Sequence, residues 1–279
     1  MTNEKELEKK ANEIRKGIIE AVYKGKSGHP GGSLSIADIL SVLYFNEMNI
    51  NPSNPKWEDR DRLILSKGHC SPALYSALAL RGFFDYNDLS TFRNIESKLQ
   101  GHPDMNKIPG VDMTTGSLGQ GLSVANGIAI AGKLDNKEYR VYTILGDGEI
   151  EEGQVWEAAM TSSKYKLDNL CVIVDNNNLQ IDGTIEEVKS SYPIDKKFES
   201  FGFEVINING NEISQIIEAL EQARNIKGKP TAIIAKTIKG KGVSFMENQV
   251  GWHGKAPNDE EYAQAMADLE KVGEALCQK

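Results

Sequence analysis

The chain has 279 residues, of which 39% are apolar and 26% are charged, and its formal net charge is −8. This length suits one large α/β domain or two small ones, and the apolar share predicts a sizeable core. The acidic balance argues against a nucleic-acid or anionic-membrane partner, so an anionic ligand must be held by local groups such as a metal, helix N-termini or a few histidines.

Apolar spacing, together with glycine and proline breaks, predicts the elements of the chain in order. In the first half these are a helix that ends near Gly25, a loop over 26–32, a helix over 35–46, a loop over 51–62, a strand over 63–66 and a helix that opens at 67–70. This last helix is predicted to have Ser71 as its N-cap and Pro72 at its first helical position.

The second half alternates between strands and helices. Its predicted elements are a glycine-rich loop over 101–121, a helix over 122–133, a strand over 139–145, a helix over 151–166, strands over 170–174 and 203–208, a helix over 212–225, a strand over 231–236, a mobile loop over 239–257 and a C-terminal helix from Asp259. The alternation predicts an α/β fold with a mainly parallel central sheet and helices on both faces. With no internal repeat and no linker in the sequence, a single domain over 1–279 is expected.

Two polar turns follow neighbouring predicted strands. Gly146-Asp147-Gly148 ends the strand over 139–145, and Asn176-Asn177-Asn178 ends the strand over 170–174. The helix between them makes this a parallel crossover, so both turns lie at the sheet edge where open α/β sheets hold ligands. A Mg²⁺ held by the Asp147 carboxylate and the Asn177 amide oxygen would keep sites free for phosphate oxygens. The pair predicts a diphosphate held through a metal; the structural alternative is two loops of turn-forming residues.

All four histidines fall in loops that contain glycine or proline, at His29, His69, His102 and His253. A single histidine is more often exposed or structural, but functional residues concentrate in loops carried by a rigid scaffold. Imidazole titrates near neutrality, which suits proton transfer to the hydroxyl and carbonyl oxygens of sugars. A histidine-based metal site ranks lower, because the paired HxH or HxxxH spacing is missing.

The cysteines and the N-terminal segment bear on the compartment. Cys70, Cys171 and Cys277 are odd in number and widely spaced, without the spacing of a metal site or a disulfide framework. The first twenty residues are predicted to form a charged helix rather than a signal sequence, and no apolar run approaches bilayer length. We therefore expect a cytoplasmic protein with reduced thiols and no membrane partner.

Six motifs occur in the order seen in transketolases, and the chain resembles that family from about Gly25 to Pro257. The motifs are Lys26-Ser-Gly-His-Pro-Gly-Gly-Ser33, Leu65-Ser-Lys-Gly-His69, Thr115-Gly-Ser-Leu-Gly-Gln-Gly121, Gly146-Asp-Gly148 with Glu151-Glu-Gly153, Asp175-Asn-Asn177 with Leu179-Gln-Ile-Asp-Gly183, and Lys236-Thr-Ile-Lys-Gly240. The resemblance implies a thiamin-diphosphate-binding fold of the pyrophosphate-binding type. It also implies the cofactors thiamin diphosphate and Mg²⁺ or Ca²⁺.

The resemblance further implies a role for individual residues. The metal ligands would be Asp147, the Asn177 side chain and the Leu179 carbonyl. The contacts to the cofactor would be His69, Gly148, Asn177 and His253 on its diphosphate side and Gly116, Ser117 and Leu118 on its aminopyrimidine side. The catalytic set would be His29, His69, His102 and His253, with Glu152 beside the cofactor at a subunit interface. Two positions depart from the family pattern, since Ser117 stands where proline is common and Asn176 where aspartate is common.

The implied reaction is reversible transfer of a two-carbon ketol unit from a ketose phosphate such as xylulose 5-phosphate to an aldose phosphate such as ribose 5-phosphate. It would pass through a dihydroxyethyl-thiamin-diphosphate intermediate, as in the pentose phosphate pathway. We expect His102 and His69 to hydrogen-bond the donor hydroxyls. We expect His29 and His253 to transfer the proton at the aldehyde oxygen.

In this family a glutamate that protonates the aminopyrimidine ring, and the arginines that bind sugar phosphate, lie on a second α/β domain beyond the matching part. The chain therefore resembles the N-terminal subunit of a split transketolase, active only with a separate C-terminal subunit in an α2β2 heterotetramer. Three alternatives stay open. They are an α-type subunit of a thiamin-dependent 2-oxoacid dehydrogenase, a cofactor-binding paralogue without turnover, and a split transketolase for an unusual sugar phosphate.

Overall fold

The computed structural model describes residues 4–278 of the chain. Five parallel strands form one sheet in the order β1-β2-β3-β5-β4. The strands are β1 (Arg62–Leu65), β2 (Val141–Gly146), β3 (Leu170–Asn176), β4 (Glu204–Asn209) and β5 (Thr231–Lys236). The predicted α/β class with a parallel central sheet is confirmed, and the sheet is parallel throughout.

Ten α-helices surround this sheet within the described residues. They are α1 (Glu4–Lys24), α2 (Pro30–Ser35), α3 (Ala37–Val42), α4 (Ser71–Arg81), α5 (Gly121–Leu134), α6 (Gly153–Lys164), α7 (Ile185–Val188), α8 (Ile194–Ser200), α9 (Ile213–Asn225) and α10 (Asp259–Gln278). In the same residues no helix is both long and apolar enough to cross a membrane.

The helices pack on both faces of the sheet, as predicted, because successive strand residues point to opposite sides. In β2, Tyr142 and Ile144 belong to a core shared with α1, α3, α4, α9 and α10. Val141 and Leu145 of the same strand face the other core, which α5, α6 and α8 complete. Strands buried on both faces explain why β2 and β3 are continuous apolar runs rather than alternating ones.

Three neighbouring strands end level with one another. Gly146 of β2 pairs with Asp175 of β3, and Asn176 of β3 pairs with Lys236 of β5. The chain therefore leaves all three strands at one edge, where the 146–148 turn, the 177–179 turn and Thr237 come together. This edge carries the predicted site.

Several local predictions were wrong. The 26–32 segment is not all loop, because α2 begins at Pro30, whose fixed φ suits the first turn of a helix. Ser71 is not the N-cap of α4: Cys70 holds that position, and the Ser71 hydroxyl donates to the Gly101 carbonyl at 2.9 Å. The predicted 35–46 helix continues from α3 into a π-helical turn over Leu43–Glu47. The short helices α7 and α8 were not predicted.

Candidate active site

The predicted site residues converge on one pocket at the carboxyl edge of the sheet. Its volume is about 520 Å³, but volume does not single it out, since a pocket beside Tyr23 and Lys255 measures about 540 Å³. Its lining is distinctive. The predicted residues that line it are His29, His69, His102, Gly116, Leu118, Asp147, Gly148, Glu152, Asn177, Leu179 and His253. Ser117 is exposed and does not line the pocket, so its contact to a cofactor stays a prediction.

The turn after β2 holds the Asp147 carboxylate against backbone amides. Oδ1 accepts from the Gly148 N–H at 2.9 Å and Oδ2 from the Asn178 N–H at 2.6 Å, and the residue is only 2% exposed. Burial, and next the neighbouring Asp175 carboxylate, raise the pKa of Asp147 to about 7. A carboxylate in this environment is poorly solvated, and a divalent cation would stabilise its ionised form.

Asn177 is the amide of the Asn triplet that accompanies Asp147 in the pocket. The side-chain oxygen of Asn176 instead accepts from the Tyr192 hydroxyl at 2.7 Å. Asn178 is exposed and has a left-handed φ of 65°. The Asn177 Oδ1 accepts from the Leu179 N–H at 3.1 Å, which keeps the Leu179 backbone beside the amide. Carboxylate, amide and carbonyl oxygens are thus available together, the donor set that Mg²⁺ or Ca²⁺ takes.

These donors do not complete a coordination shell. Within residues 4–278 no group of three or more His, Cys, Asp and Glu side chains is arranged to hold a metal. An ion on Asp147, Asn177 and Leu179 would therefore need further oxygens from outside the chain. A diphosphate supplies such oxygens, so these residues fit a cation that arrives with a diphosphate.

Three of the four histidines form a triangle inside the pocket. The ring centroids are 5.0 Å apart for His29 and His69, and 5.4 Å apart for each of these with His253. His102 lines the same pocket, with its ring against the glycine-rich loop at Gly116. Sequence order alone does not indicate which histidines are neighbours, because 224 positions separate the first from the last (253 − 29).

All four imidazoles are neutral near pH 7. Burial first, and then neighbouring positive charge, lower the pKa of His29 and of His69 to about 4 and that of His253 to about 3. Burial also lowers the pKa of His102. Positive charge in this pocket therefore comes from other side chains than the histidines.

Two lysines that the sequence reasoning passed over supply that charge. Lys239 donates to the Leu179 carbonyl and to His253 Nδ1, each at 3.0 Å. Burial, and next the charge of Lys67, lower its pKa to about 8. Lys67 is buried and ion-paired with Asp175 at 2.5 Å. Burial lowers the pKa of Lys67, but the charge and hydrogen bond of Asp175, together with Cys70 and Asp147, outweigh burial and raise that pKa above its usual range.

Glu149 is a third residue that sequence reasoning missed. It is 3% exposed, and its carboxylate accepts from the Gly119 N–H and the Gly146 N–H at 3.0 Å each, and from the Ser66 hydroxyl. It therefore ties the glycine-rich loop to the turn that carries Asp147. Lys67, Lys239 and Glu149 all lie inside or next to the six family motifs. That position in the sequence could have identified them as candidate site residues.

Known proteins resemble this chain in sequence and in structure. The family described as "Transketolase, thiamine diphosphate binding domain" matches residues 7–271. A 6-deoxy-6-sulfo-D-fructose transketolase subunit of Clostridium sp. (strain MSTE9) is 47% identical over 268 residues, which are 96% of this chain and 98% of that protein. An apulose-4-phosphate transketolase subunit of Phocaeicola vulgatus is 43% identical over 270 residues, covering 97% of this chain and 96% of that one.

A solved structure extends the likeness to the fold. The crystal structure of a transketolase from Campylobacter jejuni superposes with a TM-score of 0.90 at 36% identity, and the match covers 99% of this chain but 46% of that one. The chain thus spans about half the length of that transketolase, and nearly the whole length of the two subunits.

Proposed function

Because the chain belongs to the transketolase family, we propose that it is the N-terminal subunit of a split transketolase and transfers a two-carbon ketol unit between sugar phosphates. The observation that carries this proposal is the meeting of the Asp147, Asn177 and Leu179 oxygens with the histidine triangle in one pocket. The family match counts against the α-type subunit of a 2-oxoacid dehydrogenase, which shares the metal motif but has no need of His29 and His102.

The chain's own residues would divide the work as follows. Asp147, Asn177 and the Leu179 carbonyl would hold Mg²⁺, and with it the diphosphate of the cofactor. Thiamin diphosphate, when bound, supplies the electron sink for breaking and forming the C–C bond. His69 and His102 would hydrogen-bond the donor hydroxyls. His29 and His253, neutral at pH 7, would move the proton at the aldehyde oxygen of the acceptor.

We infer that a separate C-terminal subunit completes the site, as an α2β2 assembly in the cytoplasm. One observation supports a partner: the named relatives of similar length are called subunits. Glu152 is exposed and lines the pocket, which suits the predicted place at a subunit interface.

The sugar is proposed from the relatives. Those of similar length are named for 6-deoxy-6-sulfo-D-fructose and for apulose 4-phosphate, so we propose a donor or acceptor other than the common pentose phosphates. Xylulose 5-phosphate with ribose 5-phosphate, and with them the pentose phosphate pathway, form the second candidate. All four of these sugars have an anionic group and a hydroxylated chain, so the histidine pocket suits both candidates equally.

The test is ketol transfer by the chain with its co-purified partner, in the presence of thiamin diphosphate and Mg²⁺. Each of the three ketoses is offered in turn as the donor with ribose 5-phosphate as the acceptor, and 2-oxoacid decarboxylation is measured in parallel. We expect transfer only when both chains are present. Transfer at ordinary enzymatic rates by this chain alone would refute the split arrangement, and decarboxylation without transfer would refute the reaction.

The metal assignment has its own test. Asp147→Ala removes the one carboxylate among the proposed ligands, so we expect Mg²⁺-dependent binding of thiamin diphosphate in the complex to be lost. Asp59→Ala, at an exposed aspartate paired with Lys137, is the control and is expected to bind as the wild type does. Full Mg²⁺-dependent binding in Asp147→Ala would show that the assignment is wrong.

A further inference from the structure

A second aspartate at the same sheet edge lies behind the proposed metal ligands. Asp175 is the residue of β3 that pairs with Gly146, and its side chain has no exposed surface. It accepts hydrogen bonds from four side chains on four segments: Ser35 at 2.6 Å, Lys67 at 2.5 Å, Asn177 at 2.9 Å, and Thr237. All four are donors, three to Oδ2 and one to Oδ1, so the carboxylate is fixed in place.

The contact to Asn177 fixes which end of that amide faces the site. A carboxylate only accepts hydrogen bonds, so it takes the NH₂ group of the amide. The Asn177 oxygen is thereby turned away from Asp175, where it accepts the Leu179 N–H at 3.1 Å and keeps a second lone pair. One hydrogen-bonded series thus runs from Asp175 through the Asn177 side chain to the Leu179 backbone.

Lys67 keeps this arrangement compatible with burial. Its ammonium group balances the Asp175 charge and also donates to the Gly32 carbonyl at 2.8 Å, which joins the loop of His29 and helix α2 to the same point. Without that cation, a buried carboxylate would be costly. The ion pair therefore lets an anion stand next to a metal site without being a ligand itself.

From this geometry we propose that Asp175 is a positioning residue for the cation: it orients the Asn177 amide oxygen and, through it, the Leu179 carbonyl. The inference rests on the proposed function, because it takes Asn177 and Leu179 as ligands. Partners that orient the ligands of a metal typically contribute about 10- to 100-fold to its affinity. A purely structural Asp175 would stabilise the fold without acting through Asn177.

The test is a double-mutant cycle on the affinity for Mg²⁺. MgCl₂ is titrated by calorimetry, at fixed thiamin diphosphate, into the full chain with its co-purified partner. Asp175→Asn is expected to weaken Mg²⁺ binding by about 10- to 100-fold. In an Asn177→Ala background the same substitution is expected to weaken Mg²⁺ binding clearly less, because the amide it acts through is gone and only the direct effect of the Asp175 charge at Asp147 remains.

Asp112→Asn is the matched control. Asp112 is also buried, with a 5% exposed side chain paired to Arg60 at 2.5 Å, and it bonds the Leu63 N–H at the opposite end of β1. It is expected to bind Mg²⁺ as the wild type does. If Asp175→Asn does not fold, Thr237→Val removes one of the donors to Asp175 and is expected to weaken Mg²⁺ binding less, in the same direction and only when Asn177 is present.

The outcomes separate this inference from the proposed function. An unchanged affinity in Asp175→Asn, or an equal loss in both backgrounds, would overturn the positioning role alone. An unchanged affinity in Asn177→Ala would overturn the metal assignment and the positioning role together. The same holds if the wild-type complex binds no Mg²⁺ with thiamin diphosphate.

Discussion

Replacing Lys67 by methionine is expected to lower the free energy of unfolding by about 3 to 5 kcal/mol, the cost of leaving a buried charge unpaired. The side chains of Lys67 and Asp175 are 3% and 0% exposed, so water cannot replace the lost cation. Asp175 would keep its bonds from Ser35, Asn177 and Thr237, which places the loss near the lower end of that range. Methionine preserves most of the side-chain volume, so little of the effect comes from a cavity.

The measurement is urea unfolding of the chain without cofactor or metal, comparing midpoints at an unchanged slope. Adding Asp175→Asn to Lys67→Met removes the unpaired charge, so the double variant is expected to recover part of the loss. Lys133→Met is the control, because the Lys133–Asp168 pair has side chains that are 39% and 24% exposed. Exposed pairs contribute ~1 kcal/mol or less. The reasoning fails if Lys67→Met loses no more than Lys133→Met.

Two further predictions concern the acid limb of stability and the close approach of the glycine-rich loop. The pKa of His69 is about 4 in the folded chain against an ordinary 6.5, so the unfolded chain binds more protons between these values and stability falls as pH drops from 6.5 towards 4. His69→Gln is expected to flatten this fall in the metal-free chain. The raised pKa of Asp147 makes stability rise as pH drops, but this effect is the same in the wild type and in His69→Gln. Equal slopes of stability against pH in the two proteins would contradict the prediction. A Cβ on Gly68 would lie 2.7 Å from Thr115 Oγ1 and 2.8 Å from the Gly116 nitrogen, so Gly68→Ala is expected to cost about 1–3 kcal/mol and to weaken cofactor binding. Gly127 of α5 has nothing within 4 Å, and Gly127→Ala is expected to stabilise the chain by about 0.5–1 kcal/mol; a loss there, or none at Gly68, would count against the packing.

The sequence predicted the elements that carry the site because their signals are local. The β5 strand was predicted with its observed bounds, Thr231–Lys236, and α10 with its observed start at Asp259. The order of the strands was not predicted, because register and neighbours depend on contacts between distant segments. Helix α7 was missed as well, although its Thr184–Glu187 capping box is visible in the sequence, because four residues are too few for apolar periodicity.

The site was predicted as a set of residues rather than as an arrangement. The motifs predicted which loops meet at the carboxyl edge of the sheet. The structure places eleven of the twelve predicted residues in the pocket lining. The Lys67–Asp175 pair could not be read from spacing, since 108 positions separate its members. The sequence also does not distinguish a buried lysine such as Lys67 from an exposed one. Pairing across strands, and the charge balance it creates, were therefore beyond the sequence.

The contact between Lys239 and His253 decides where one hydrogen atom resides. A lysine ammonium can only donate, so His253 Nδ1 must be its acceptor, and a neutral ring then carries its hydrogen on Nε2. This tautomer makes Nε2 an acid at the start of a turnover rather than a base. In the proposed reaction, His253 would give its Nε2 proton to an alkoxide while Nδ1 takes a proton from the Lys239 ammonium, so that the ring stays neutral and Lys239 is left as the amine. Lys239 would thus set the direction of proton flow without touching the sugar.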